Sequence, residues 1–419
     1  MENLRIDGDR LWRSLMTMAE IGATPKGGVR RLALTDEDRR ARDLFVAWCE
    51  EAGLMVSVDR MGNIFARREG TEDLPPVMAG SHLDSQVTGG RFDGPLGVLA
   101  ALEAVRTLND HGIRTRAPVE VVNWTNEEGG RFPPPMVASG VFSGAYTLEF
   151  GRSCRDAAGR TQGEELERIG YAGSEPVGGR PIGALFELHI EQGPELEERG
   201  LDVGVVTGTY GVRGFDVAVL GENAHVGPTP MDRRRNALLG AAMLVLEAQR
   251  IGMARQPVGR SAVSWIHVEP NLRGVLPHEA VVAIDFRHPD VPTLDAMIGE
   301  LRAAMDRIAR ETKLGVEIRR SWQYGPETFE GGCVAAVREA AARLGYRHQD
   351  MMTVAGHDAF YINRIAPTAM IFCPCVGGVT HNELEDCTPA MVVPATNVLL
   401  HAVLAKAGVA GARGGPGEG

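Results

Sequence analysis

Residues 80–97 read Gly80-Ser-His82-Leu-Asp84-Ser-Gln-Val-Thr-Gly-Gly-Arg-Phe-Asp93-Gly-Pro-Leu-Gly97. The apolar Val77–Ala79 just before them predicts a strand. After Pro95, the residues Leu99, Leu102, Val105 and Leu108 recur at helical spacing, and His111-Gly112 closes that helix. Strand, glycine-rich loop and helix together open an α/β unit. The loop holds His82, Asp84 and Asp93. A neutral imidazole beside hard carboxylates suits a borderline divalent ion such as zinc, and Asp84 is placed to orient His82 through its second ring nitrogen. The loop therefore reads as half of a metal site.

Working outward, Val119–Trp124 is a near-continuous apolar run of the kind buried in an α/β sheet, and Glu127-Glu128 follows it. In extended chain two adjacent carboxylates point to opposite sides, so one can enter a metal's shell while the other stands over its open face. Taken alone, such a pair is usually just a solvated strand end. Ala184–Ile190 predicts another strand, ending in Glu187-Leu-His189-Ile-Glu191-Gln192-Gly193. His189 at a strand end beside polar residues is a candidate for the same site as His82. Near the N-terminus, Leu4–Ile21 and Asp36–Ala52 predict amphipathic helices, the second capped by Thr35. Leu54–Asp59 and Asn63–Arg67 predict a hairpin turning at Met61-Gly62. Phe132-Pro-Pro-Pro135 reads as a stiff loop, and residues 146–180 as short helices and turns.

From Val212 to about Trp322 the pattern changes. Strands at Phe215–Leu220, Ala262–Val268, Val281–Phe286 and Val316–Arg320 alternate with helices at Arg233–Gln249 and Thr293–Glu311. The order β-α-β-β-α-β is that of a small split-βαβ sandwich, which we read as a domain, residues 212–325, inserted into the first. Gly208, Gly211 and Gly325 flank it as hinge residues. His225, Asn271 and Arg287 follow its strands, and read as presented near one end of its sheet they could hold a carboxylate and a carbonyl; read blandly, they are surface polar residues. The first domain (1–211 and 326–419) resumes with a helix at Val334–Leu344, the segment Ala355-Gly-His357-Asp358 and a strand at Thr368–Phe372. Then come the loop Gly377-Gly378-Val-Thr380-His381-Asn-Glu383 and a helix at Met391–Ala405. The glycine-rich residues 408–419 predict a disordered tail.

A chain of 419 residues exceeds one ordinary core, and 44% apolar with 24% charged residues is a globular composition. A formal net charge of -11 argues against nucleic acid and for a small-molecule substrate. No basic N-terminal region precedes an apolar run, and no stretch reaches a membrane span, so the expectation is a cytoplasmic protein without membrane partners. The six scattered cysteines fit reduced thiols. In Cys373-Pro-Cys375 the spacing is too narrow for the usual zinc pair.

Gly-Ser-His-Leu-Asp, Gly-Gly-Arg-Phe-Asp-Gly, Thr-Asn-Glu-Glu-Gly, Leu-His-Ile-Glu-Gln-Gly and Thr-His-Asn-Glu, in this order over residues 8–406, resemble the M20 family of dinuclear-metal amidohydrolases and peptidases. The likeness is greatest to its hydantoinase/carbamoylase branch of N-carbamoyl-L-amino-acid hydrolases, β-ureidopropionases and allantoate amidohydrolases. The resemblance implies an α/β catalytic domain with an inserted ferredoxin-like lid that forms a homodimer. It implies two divalent ions per subunit: zinc first, with manganese, cobalt and nickel open to the same ligands. His82, Asp93 and His189 would hold one ion, Asp93 bridging it to a second held with Glu128 and His381. Glu127 would be the general base and Asp84 the partner of His82. His225 would stabilise the oxyanion, and Gln192, Asn271, Arg287 and the Gly377-Gly378 loop would contact a small ureido substrate bearing a carboxylate.

Some positions depart from the branch's pattern: Thr380 where serine is common, Gly130 where alanine is frequent, and Arg273-Gly-Val-Leu-Pro-His278 for a more usual Arg-Asn-Val-Ile-Pro-Gly. They bear on substrate preference. Ser85-Gln86 and the Phe132-Pro-Pro-Pro run look closer to carbamoylases than to allantoate enzymes. Allantoate amidohydrolase, an exopeptidase and a metal-binding dimer without activity remain the other readings.

Overall fold

The computed structural model describes residues 3–411. The chain divides into two compact units, one formed by the segments up to Thr207 and from Phe329, the other by Gly208–Thr328. In chain order the strands are β1 (Met55–Val58), β2 (Ile64–Arg68), β3 (Val77–His82), β4 (Val119–Trp124), β5 (Ala184–Ile190) and β6 (Val203–Thr209). There follow β7 (Gly211–Leu220), β8 (Ala224–His225), β9 (Arg260–Glu269), β10 (Val275–Leu276), β11 (Glu279–His288) and β12 (Gly315–Tyr324), then β13 (His348–Thr353) and β14 (Thr368–Cys373).

The first unit is built on an eight-stranded sheet in the order β1-β2-β4-β3-β5-β14-β6-β13. Its centre, β4-β3-β5-β14, is four adjacent parallel strands, with His82 opposite Trp124 and Phe372 opposite His189. Every residue of β3, β4, β5 and β14 is buried, as a parallel sheet covered on both faces demands. The helices Pro95–Asp110 and Pro389–Ala407 pack on this centre. By length and composition the second could cross a membrane, contrary to the expectation from sequence. Two-thirds of it is buried here, as suits a core helix.

The inserted unit has its own core and the expected β-α-β-β-α-β order: a four-stranded antiparallel sheet, β12-β7-β11-β9, with the helices Ala237–Met253 and Val291–Thr312 packed on it. The short antiparallel pair β8-β10, whose strands are distant in the chain, is an addition to that plan.

Strands β6 and β13 and the helix Val137–Phe142 carry no periodicity that predicts them. The first residues of the predicted tail are not disordered: residues 408–410 hydrogen-bond to residues 114–116, and the rest of that prediction, 412–419, lies outside the described residues. All six cysteines are free, buried thiols.

Candidate metal centre

The four parallel strands deliver the candidate residues together at their C-terminal ends, where α/β sheets place their sites. His82 ends β3, His189 is one residue from the end of β5, Glu127 and Glu128 follow β4, and His381 follows β14. Asp93 reaches in from the loop after β3. Gly94, at φ 85°, follows it because a Cβ there would stand 2.4 Å from the His82 ring.

Two groups of ligand atoms share Asp93: His82, Asp93 and His189, all buried, and Asp93, Glu128 and His381 toward the rim. Asp93 Oδ1 lies 3.1 Å from His189 Nε2 and 3.8 Å from His82 Nε2. Its Oδ2 lies 3.5 Å from His381 Nε2, which is 3.3 Å from Glu128 Oε2. Both buried rings use Nδ1 on main-chain carbonyls, His82 on Asp84 at 2.9 Å and His189 on Ile190 at 3.0 Å. That turns each Nε2 inward as a donor atom. A third grouping, Glu187, His189 and His357, is already satisfied: Glu187 accepts from Ser81 Oγ and the Ala359 N–H, and His357 Nε2 meets Thr353 Oγ1.

Among the described residues, no lysine or arginine pairs with Asp93, Glu127 or Glu128. Burial opposes the charge of Asp93, yet the hydrogen bond from His189 and the charges of the three histidines hold its pKa well below the usual range. Burial, then Asp358, Glu128, Asp84 and Glu187, push the Glu127 carboxyl well above its ordinary value. Clustered buried carboxylates call for cations, and imidazole with carboxylate is the donor chemistry of zinc-like divalent ions. The site fits two of them.

Glu127 Oε2 stands 3.6 Å from His82 Nε2, over the buried group. The paired glutamates do not lie in extended chain as expected. β4 stops at Trp124, and Asn126 turns the backbone left-handed at φ 55°. The turn is anchored from outside the site: Arg42, in a buried pair with Asp38, reaches Thr125 Oγ1, and Asn63 accepts from the Thr125 N–H. Asp84 also differs from expectation. Its carboxylate is 3.9 Å from the His82 ring, which meets its main-chain carbonyl instead. The carboxylate oxygens accept from the N–H groups of Glu127 and Glu128, at 3.2 and 3.3 Å. A side chain expected to orient the His82 ring thus holds Glu127 and Glu128 in their turn.

Gln192, at φ 59°, donates to Asp93 Oδ2 at 2.9 Å and lies 3.2 Å from Thr380 Oγ1, while its buried Oε1 has no partner. Gly377 and Gly378 do not present free amides. The Gly377 N–H goes to Glu197 and that of Gly378 to the Cys375 carbonyl, and Gly378 presses against Gly193 and Pro194. His381 is itself left-handed at φ 50°. Three non-glycine residues of one site in that conformation mark strain held by the surrounding fold.

Two residues carried no sign in the sequence of a place beside the donor groups. Glu385 is buried and accepts the N–H groups of Phe92 and Asp93, both at 3.0 Å, so it fixes the shared ligand's backbone. Gln86 donates to Glu128 Oε2 at 2.8 Å. Neither belongs to a recognisable ligand pattern.

The inserted unit separates the residues expected to act together. Glu279 pairs with Leu220 and Glu269, whereas Arg287 pairs with Val212 and Arg260, eight positions along β11. At about 3.3 Å per residue that is roughly 26 Å. His225 and Asn271 lie at the Glu279 end, in and beside the two-stranded pair β8-β10. Arg287 lies at the other end, where the chain enters and leaves the unit, its Nε on Asp285 Oδ1 at 2.7 Å. His225 is exposed, and its Nδ1 accepts from the Gly227 N–H, which makes Nε2 the protonated nitrogen.

A model of the family described as peptidase family M20/M25/M40 matches residues 78–405. The chain is 48% identical, over 97% of its length and 98% of the relative's, to an N-carbamoyl-L-amino-acid amidohydrolase of Rhizobium meliloti. An allantoate amidohydrolase of Bacillus subtilis is 32% identical over 88% of this chain and 90% of its own. Among solved structures, an amidase of the hydantoinase/carbamoylase family from Burkholderia vietnamiensis is 54% identical, covers 97% of this chain and 99% of its own, and superimposes with a TM-score of 0.93.

Proposed function

The chain belongs to peptidase family M20/M25/M40, a metal-dependent family, and from that premise we propose that it hydrolyses the linear ureido C–N bond of N-carbamoyl amino acids. The observation that carries the reading is Asp93 set between two donor groups, with Glu127 3.6 Å from His82 on the buried side. The greater likeness to an N-carbamoyl-L-amino-acid amidohydrolase than to an allantoate amidohydrolase supports the substrate class.

His82, Asp93 and His189 would hold one divalent ion, and Asp93, Glu128 and His381 the other, with zinc the first choice for this donor set. When bound, such a pair supplies Lewis-acid polarisation of the ureido carbonyl and makes water a better nucleophile near neutral pH. Glu127 takes a proton from the attacking water and returns it to the nitrogen that leaves. Its release frees the amino acid and carbamate, which decays to ammonia and carbon dioxide. His225 donates Nε2–H to the developing oxyanion, and Arg287 with Asn271 and Gln192 engages the substrate carboxylate.

The roughly 26 Å between the two ends of the inserted sheet means that one subunit's His225 and Asn271 cannot meet an amino-acid-sized substrate that its own Arg287 holds. The reading therefore requires a second copy of the chain. The inserted unit supports one: β9 is an edge strand with Trp265 and Ile266 exposed, and Leu239, Leu246 and Met253 lie exposed at seven-residue spacing on the helix Ala237–Met253.

The test is ammonia and amine release from N-carbamoyl-L-amino acids, N-carbamoyl-β-alanine, allantoate and dipeptides, with an EDTA-treated control. Metal-dependent release from the carbamoyl substrates is expected, and release from allantoate alone would move the substrate. Mixing inactive His225→Ala and Glu127→Gln subunits should restore part of the activity. No recovery would argue for a site complete in one chain.

A further inference from the structure

Gln86 donates Nε2–H to Glu128 Oε2 at 2.8 Å, and the same nitrogen is 3.4 Å from the Glu128 carbonyl. Oε2 is the oxygen facing His381. The other carboxylate oxygen facing His381, Asp93 Oδ2, accepts the amide of Gln192. Both oxygens of the rim group thus carry a primary amide. Asp93 Oδ1, the oxygen of the buried group, faces two imidazoles, and no amide donates to it among the described residues.

The chemistry of an amide at this place is specific. A carboxylate oxygen has two lone pairs, so it can accept an N–H on one and offer the other to an ion. A lysine or arginine would order Glu128 equally well but would compete with the ion for its charge. A glutamine orders it without a formal charge. Position 130 fits the same device: a Cβ on Gly130 would stand 3.0 Å from Gln86 Oε1. Since Oε1 and Nε2 share one rigid plane, a methyl group pushing on the oxygen would carry the nitrogen away from Glu128. We propose that Gln86 is a positioning residue that holds Glu128 for the second ion, and that position 130 is glycine to leave Gln86 its place. This rests on the two-ion reading above.

The experiment is zinc titration of the full-length metal-free protein by calorimetry, with bound metal counted by mass spectrometry and the melting temperature recorded for every variant. Gln86→Ala should keep one tight equivalent and weaken the other by about 10-fold to 100-fold, the usual cost of losing a ligand's supporting hydrogen bond. Gly130→Ala should move the same equivalent by less. The double variant should match Gln86→Ala alone, because the added methyl then has no amide to displace. Two unchanged equivalents in Gln86→Ala, equal weakening of both, or additive effects in the double variant would each overturn the proposal. A wild-type protein binding one ion would instead sink the two-ion reading and this inference with it, so the two failures are distinguishable.

Discussion

Asp93 divides its oxygens between two donor groups of opposite construction. The buried group takes His82 and His189 from the strands themselves, each 1% exposed and each ring tied to a main-chain carbonyl. The rim group takes Glu128 from a left-handed turn and His381, half exposed, from a loop residue at φ 50°. Ligands on a hydrogen-bonded strand keep their place through the sheet ladder. Ligands on loops depend on a few side-chain contacts: Asp84 and Gln86 for Glu128, and the press of the Thr380 loop against Gln192 and Gly193. The difference implies a permanent site beside an adjustable one.

The strongest test separates chemistry from metal holding. Glu127→Gln keeps the shape of the side chain over the buried group but cannot take a proton, so turnover should fall by about 10²-fold to 10⁴-fold. Both ions should remain, and metal loss in this variant would mean that Glu127 belongs to a donor group. Next, zinc at a thousand times its dissociation constant should stabilise the fold by about 4.1 kcal/mol per site. His189→Ala should lose that stabilisation from the buried group, while His381→Ala should lose a single, weaker equivalent. Equal losses in melting temperature and metal count would erase the distinction between the groups.

The smallest effect isolates the metal-free baseline. Burial raises the Asp59 carboxyl from 3.8 to about 6, against the hydrogen bonds it accepts from Met61 and Asn63. The folded state then binds this proton more tightly than the unfolded chain. The stability it contributes is complete below pH 3.8, declines as pH rises, and is gone above about 6. Acid release of metal from imidazoles runs in the opposite direction. In EDTA-treated protein, Asp59→Asn should therefore flatten the stability change between pH 4 and 6 by at most about 3 kcal/mol. An unchanged slope would place that titration elsewhere.

Much of this was legible along the chain because the central strands are uninterrupted apolar runs and the insert keeps clean periodicities. Phe215–Leu220, Thr293–Glu311 and Thr368–Phe372 fall within the elements formed. What was not legible has two physical causes. Strand β13 reads His-Gln-Asp-Met-Met-Thr and is a strand only because the sheet accepts it at its edge. The expected common end for His225, Asn271 and Arg287 failed because strand ends look alike in sequence, whereas the register along β11 decides which end each occupies.

The sequence by itself determined the α/β class, the inserted unit, the family and the residue types of the donor groups, since these follow from hydrophobic period and from side chains whose chemistry does not depend on position. Only the tertiary structure decided the roles of neighbours. Asp84 turned from the His82 ring to the Glu127–Glu128 turn, Glu385 came to hold Asp93, and Gln86 met Glu128 across 42 positions. A hydrogen bond is settled by distances of tenths of an ångström between groups the fold brings together, and no local pattern in the chain encodes those distances.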